Sequence, residues 1–382
     1  LVNGFGQVTL SSLTIDAQGI ATATSTAHGY LKVHTVILIA GADQEAINGE
    51  WIITDIPNAD TVKFDASDSG LTSTTITGAT ITMKVAPLGW ARPFSDAPNY
   101  IAVYQSLNPQ SRRNFLRVDD SDNLAYNDIG ATYFRGYEYM TSSQDNGTYP
   151  FPPKSALTRG VNSRKLFFSQ AGVYLTLNAA NISWVLVGNS NQFFFSSHTI
   201  YGNDKRTRML MFFGDLNSYV PGDVGATLLS ADIDLTGITA VSHGVMRSYN
   251  YTGNYCPRNS KRTHTVSQQR FRLLNYPTTV TSDAVIGANS TIAEPDIYPN
   301  RVILYRPFLV SDENNTNSIR GEMPGMAVAL NDFQSLTTTY EPGEVITLNG
   351  ERFAYIPTYA WNAINGFILL TLDRDWNIHI LQ

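Results

Sequence analysis

The chain has 382 residues, room for two or three domains at roughly 150 residues each. Hydrophobic residues make up 43% and charged residues only 15%, well under the roughly 25% of an average globular chain. A net charge of -6 argues against a dedicated nucleic-acid binder, and the single cysteine, Cys256, excludes an internal disulfide and a multi-cysteine zinc site.

Ser, Thr and Asn take the place of the missing charge. That exchange suits β-sheets, and it suits surfaces covered by neighbouring subunits, where an unpaired buried charge is costly. The composition therefore points to a homo-oligomer. No apolar run reaches the length of a transmembrane helix, so no membrane insertion is expected. Leu1 to Leu10 lacks a charged, then continuously apolar, leader pattern, so no signal peptide is expected either.

Residues 1–17 read as an N-terminal arm whose Gln7–Leu10 and Leu13–Ile15 can pair with the following module or with another subunit. Residues 18–86 read as a self-contained β-module. Ile20, Thr22, Thr24 and Thr26 alternate with Ala21, Ala23 and Ser25, the period of a half-buried strand. Val33 to Ile39 is a β-branched apolar run, Trp51 to Ile53 resumes the sheet, and Thr61 to Phe64 and Thr74 to Val85 add further strands. Asn48-Gly49 lies between apolar pieces and predicts a tight turn with positive φ at both central residues. These short strands predict a small barrel or sandwich.

Ala86-Pro87-Leu88-Gly89 marks a boundary, and the prolines at 87 and 93 with Gly89 predict that no continuous strand crosses it. Residues 87–382 read as a larger antiparallel β-sandwich body, with a division into two subdomains considered near 220–300. Strands are expected at 100–104, 114–120, 131–140, 166–168, 173–177, 182–187, 192–200, 208–213, 226–235, 241–249, 301–310, 326–330, 345–348, 352–356 and 366–372. Asn349-Gly350 is the strongest hairpin signal. Ser155 to Lys165 is the one stretch with any helical character. The fold class expected is all-β, a small module inserted near the N-terminus of a larger sandwich.

Catalytic signatures are missing from the sequence. No Gly-rich phosphate loop, Gly-x-Ser-x-Gly elbow or His-Glu-x-x-His occurs, and no cofactor is expected. His28 with His34 would be a metal pair if the turn between them folded back, but His28-Gly29 and His243-Gly244 read more simply as turns. Asp232 with Asp234, and Asp373 with Asp375, are far short of the six to eight oxygens calcium takes. A glycan-cleaving enzyme needs two flanking carboxylates. Glu138, Glu294, Asp296, Glu344 and Glu351 are available without any pattern that pairs them. Cys256 and His264 are close in sequence only.

The charge pattern says more. No acidic residue lies between Leu235 and Ser282, whereas Arg247, Arg258, Lys261, Arg262, Arg270 and Arg272 do, interleaved with Tyr249, Tyr251 and Tyr255. Such a stretch can hold phosphates and stack bases. It can equally meet an acidic patch on a neighbouring subunit, for instance Asp119, Asp120 and Asp122. Arg and Tyr are enriched at protein interfaces and the net charge is negative, so the interface reading is favoured.

Several blocks carry a resemblance. GIATATSTAHGY, the apolar run after it, GADQEAINGEWIITDI and TVKFD resemble a β-module of many tailed-bacteriophage virion proteins. That module is similar, in fold only, to the first catalytic-cysteine half-domain of ubiquitin-activating enzymes. Trp90 to Phe94, Phe115 to Asp120, Arg135 to Met140, Gly147 to Pro152, and Arg320-Gly321-Glu322-Met323-Pro324-Gly325 resemble blocks of a phage structural family. Ile47 departs from the Tyr that related modules often place before Asn-Gly. The resemblance implies a non-enzymatic virion component made in the bacterial cytoplasm, with partners among its own copies and other virion proteins. It carries no catalytic residues across. A tail, baseplate or neck position is the first expectation; a capsid decoration protein and a host-glycan-binding tail appendage are the alternatives.

Overall fold

The computed structural model describes residues 1–29, 31–122, 131–151, 184–198, 208–231, 253–257, 269–274, 304–305, 308–312, 315–329, 340, 343–360, 363–372 and 377–381. The chain divides into two compact units, Leu1–Gly89 with Asn377–Leu381, and Trp90–Trp376. The chain is all-β, with antiparallel pairing throughout the described ladders.

The first unit contains β1 (Phe5–Ile15), β2 (Ile20–Ser25), β3 (Val36–Ala40), β4 (Gly49–Asn58), β5 (Thr61–Asp65), β6 (Thr74–Thr75) and β7 (Thr82–Val85). They close in the order β1-β2-β5-β4-β3-β7 and back to β1, with β6 added on β1. Of the two pairings open to the N-terminal arm, the structure takes the one within the module. A register slip between Leu10 and Ser12 bends β1, so that Thr9 pairs with Thr82 of β7 while Leu13 pairs with Ala23 of β2. One strand thereby closes the barrel.

A barrel this small has room inside only for side chains, and their sizes must complement one another. The inward residues of β2 are the small ones, Ala21, Ala23 and Ser25, all buried. Directly across from them on β5 stand Phe64 opposite Ala21 and Val62 opposite Ala23, both fully buried. Leu13, Ile37, Ile39, Ile53 and Met83 belong to the same core. Trp51 covers the rim, stacked on Phe64 at 5.7 Å and donating from Nε1 to Ile47 O at 2.8 Å.

The turn expected at Asn48-Gly49 is not a two-residue hairpin. Asn48 is extended (φ -69°, ψ 116°) and follows a 3-10 turn at Glu45–Ile47. Its side chain closes the wider loop from β3 to β4. The amide oxygen accepts from Ala42 N at 3.0 Å and the amide nitrogen donates to Ala42 O at 2.8 Å. The carboxamide thus plays the part of a strand neighbour, which the rank of Asn-Gly as a turn signal does not anticipate. Asn48→Ala is expected to lower barrel stability by about 2 kcal/mol, since two backbone groups lose partners. Chemical denaturation would show the loss, and Asn48→Asp, which keeps only the acceptor, should lie between.

The second unit contains β8 (Trp90–Asp96), β9 (Ile101–Ser106), β10 (Phe115–Asp122), β11 (Ala131–Tyr137), β12 (Trp184–Gly188), β13 (Gln192–His198), β14 (Arg208–Asp215), β15 (Asn217–Ser218), β16 (Thr227–Ala231), β17 (Gly253–Cys256), β18 (Gln269–Leu274), β19 (Leu304–Tyr305), β20 (Phe308–Asp312), β21 (Asn315–Met323), β22 (Met326–Ala329), β23 (Val345–Leu348), β24 (Glu351–Ala360) and β25 (Ala363–Thr371). One sheet runs β11-β10-β9-β8, a long one runs β15-β21-β20-β18-β17-β16-β14-β13-β12, and a third runs β19-β22-β25-β24-β23. Leu210, Met211, Phe212 and Phe213 on β14 are all buried, so the middle of the long sheet is covered on both faces.

The expected interruption at Trp90 to Pro93 is corrected. The chain breaks before Trp90, but β8 then runs through Pro93 with a register shift between Ala91 and Phe94. β8 is an edge strand, where a missing N–H and a bulge are tolerated. Asn349-Gly350 turns as expected, with φ of 53° and 82°, and pairs Leu348 with Glu351. The helical stretch considered at 155–165, and the strands at 166–168, 173–177 and 241–249, lie outside the described residues.

Candidate functional site

The residues of the basic, Tyr-rich stretch divide in two. Arg247, Tyr249, Tyr251, Arg258, Lys261 and Arg262 lie outside the described residues. The backbone of Tyr255, Arg270 and Arg272 is in β17 and β18, inside the long sheet. Tyr255 pairs with Arg270 and with Leu229, and Arg272 pairs with Ser311. Neither strand was anticipated, because Gly253-Asn254 and the Gln/Arg-rich start of β18 are poor strand formers in isolation. One member of the acidic counterpart has an intrachain partner. Asp119 is held within its own chain by Arg117 Nη1 at 2.7 Å.

The motif blocks converge on three packed sites. In the first, Trp90 is buried at the start of β8, edge-on to Phe193 with centroids 5.1 Å apart and tilted against Phe213 at 5.9 Å. Its indole Nε1 donates to Asn189 O at 2.9 Å. Nearby, Ser106 Oγ donates to Ser190 O (2.6 Å) and Asn108 Nδ2 to Asn191 Oδ1 (2.7 Å), so the β12–β13 turn is fastened to the end of β9.

The second site surrounds β10 and β11. Arg117 and Arg135 are paired directly across the ladder, and both are buried. Two like charges in that position repel unless each has its own partner. Arg117 binds Asp119 and donates from Nε to Ser143 O at 2.8 Å; Arg135 binds Asp145 and the Tyr137 hydroxyl. Gly136, between Arg135 and Tyr137, bridges to Phe151, and a Cβ there would collide with the Phe151 ring. Gly136→Ala is expected to cost about 1–3 kcal/mol by overpacking, and Phe151→Leu in the same chain to recover part of it. Thermal unfolding of the two single variants and the double variant gives the coupling.

The third site contains the Arg-Gly-x-x-Pro-Gly block. Arg320 is 1% exposed and grips Asp223 with both arms, Nε to Oδ2 at 2.7 Å and Nη2 to Oδ1 at 2.8 Å. Nη2 also donates to Gly225 O (2.6 Å), while Ser218 Oγ (3.0 Å) and Gly225 N (3.1 Å) donate to the Asp223 carboxylate. Burial alone would raise the Asp223 carboxyl, but the hydrogen bonds and charge of Arg320 outweigh it and the net direction is down. Gly321 has no room for a Cβ, because Asn217 O lies against it. Pro324-Gly325, with φ of 79° at the glycine, then turns the chain from β21 into β22 of a different sheet.

The other candidates are accounted for singly. His28 is buried with Nε2 3.2 Å from Asn58 O, the contact of a turn residue with a neighbouring backbone group. Cys256 is fully buried, and burial pushes its thiol up to about 12, which suppresses the thiolate. Asp232, Asp234, His243, His264, Glu294, Asp296, Asp373 and Asp375 lie outside the described residues. Among the described residues, no three His, Cys, Asp or Glu side chains gather as a metal site would require.

Fold and site together define an all-β protein with a closed six-stranded barrel and a multi-sheet body pinned by buried arginine–carboxylate pairs. The sequence matches no protein-family model and none of the curated proteins.

Proposed function

We propose that the chain is a non-enzymatic structural component of a tailed phage particle, in its tail, baseplate or neck, binding copies of itself and docking other virion proteins. One observation carries this reading. Blocks of the body that resemble the phage family each place a residue in a packed contact: Trp90 on Phe193, Phe115 on Phe94, Gly136 under Phe151, and Arg320 on Asp223. Residue blocks that resemble a structural family and also hold an architecture together are what a mechanical protein requires. The low charge content supports the same reading, because a surface of Ser, Thr and Asn can be covered by neighbours at little desolvation cost.

The test is to find the chain in purified particles by mass spectrometry and to locate it in a reconstruction. Tens of copies or fewer at the tail are expected. A copy number near that of the major capsid protein would favour capsid decoration. Absence from mature particles would sink the proposal.

A further inference from the structure

The loop between β14 and β16 inverts the usual arrangement of side chains at a protein surface. Leu216 N donates to Ala226 O at 2.8 Å and closes its base, so Asn217–Gly225 form a compact loop with adjoining ends. At the crest Asp223 N donates to Val220 O at 3.2 Å across Pro221-Gly222, with φ of 68° at the glycine. Tyr219 and Val224 are 53% and 54% exposed, and Ile319 on β21 is 40% exposed. The side chain this loop does bury is the carboxylate of Asp223, on Arg320. Buried charge and exposed apolar groups are the two informative departures from normal burial. Here they coincide in one loop.

No apolar side chain between Leu216 and Ala226 is buried, so hydrophobic burial does not fasten the loop. Polar contacts do. Asn217 pairs with Glu322 of β21, and Ser218 pairs with Gly321. Tyr219 N donates to Arg320 O at 2.8 Å, Tyr219 Oη and Asn217 Nδ2 each donate to Glu322 at 3.0 Å, and Arg320 holds Asp223. Under the loop lies the backbone edge of β21. Cys256, fully buried, follows Tyr255 in β17, which pairs with Leu229 of β16, so the thiol stands beside the start of β16 at the base of the loop.

We propose that Asn217–Gly225 is a latch that opens as a unit about Leu216 and Ala226, uncovering the edge of β21 and Cys256 while the β14–β16 ladder stays closed. Opening exchanges hydrogen bonds and one ion pair for water and exposes no core side chain of the loop, so it requires less free energy than unfolding the body. The ladder from Asp215–Thr227 inward is anchored separately by buried Phe212, Phe213, Leu228 and Leu229. Among the described residues these contacts fasten the latch, which would operate whether or not the chain belongs to a particle.

Cys256 is the only cysteine, so a maleimide reports on one site of the full chain. Its labelling rate and the native-state hydrogen exchange of 217–225 and of β14 and β16 would be measured together across low denaturant concentrations. Loop amides and thiol labelling are expected to share one opening process, at least about 100-fold more frequent than that of the β14 and β16 amides. Asp223→Asn is expected to raise labelling at least about 10-fold while β14 and β16 exchange stays unchanged. Ser218→Ala, which removes one bond to the carboxylate, is the milder variant and should speed labelling about 2- to 10-fold. The proposal is overturned if wild-type Cys256 and the loop amides open only with the global unfolding of the body, a result that needs no variant. It is equally overturned if both variants speed β14 and β16 exchange as much as labelling.

Discussion

Replacing Trp90 with alanine is expected to lower the stability of the body by about 3–5 kcal/mol, the range for removing a buried aromatic side chain. Three losses add up at this position. The indole is 2% exposed and packs against Phe193 and Phe213, so its removal leaves a cavity lined by rings that sit in strand ladders and cannot close over it. The edge-on and tilted ring contacts disappear with it. Asn189 O also loses its donor. Trp90→Phe separates these terms: it keeps much of the volume and loses the hydrogen bond, and should cost about 1–3 kcal/mol. Guanidinium unfolding of both variants, compared at the same slope, measures the two steps. A loss below about 1 kcal/mol for alanine would mean that Trp90 does not fasten β8 to the long sheet.

Asp119→Ala is expected to cost a similar amount, about 3–5 kcal/mol, through electrostatics. Arg117 and Arg135 face one another across the β10–β11 ladder, and the carboxylates of Asp119 and Asp145 make that tolerable. Without Asp119, the buried Arg117 guanidinium keeps its bond to Ser143 O but loses its carboxylate, and it stands opposite a second cation. The cost arises from a charge left buried, so removing the arginine as well should reverse most of it. Arg117→Met with Asp119→Leu is expected to lie within about 1–2 kcal/mol of the parent, because a buried pair replaced by apolar groups of similar volume is often near neutral. A double-mutant cycle read by chemical denaturation gives the coupling. Equal losses for the single and double variants would show that the carboxylate acts through local packing and not through charge.

How far the sequence could be read depended on whether a signal was local. Asn349-Gly350 was legible because a two-residue hairpin needs positive φ at adjacent positions, and both residues supply it at 53° and 82°. Asn48-Gly49 is the same dipeptide, yet Asn48 is extended, because its carboxamide is occupied by Ala42 six residues upstream. The alternation in β2 announced a strand, but not that Ala21 and Ala23 would face inward. That choice follows from Phe64 and Val62, which fill the barrel from β5. In the basic stretch, charge was readable and placement was not: Arg270 and Arg272 belong to an inner strand held between β17, which precedes it in the chain, and β20, which comes from well beyond the stretch.

Membership of the all-β class could be read from the residues without knowing any contact. Period-two alternation, β-branched runs and turn residues are local properties, and they add up to strands wherever the partners happen to be. What the charged and glycine residues of the motif blocks do became visible only in the folded chain. Arg320 and Asp223 are 97 positions apart, and Gly136 is small because Phe151 lies on it. A buried charge or an absent side chain acquires its meaning from whatever packs against it, and that neighbour is chosen by the fold.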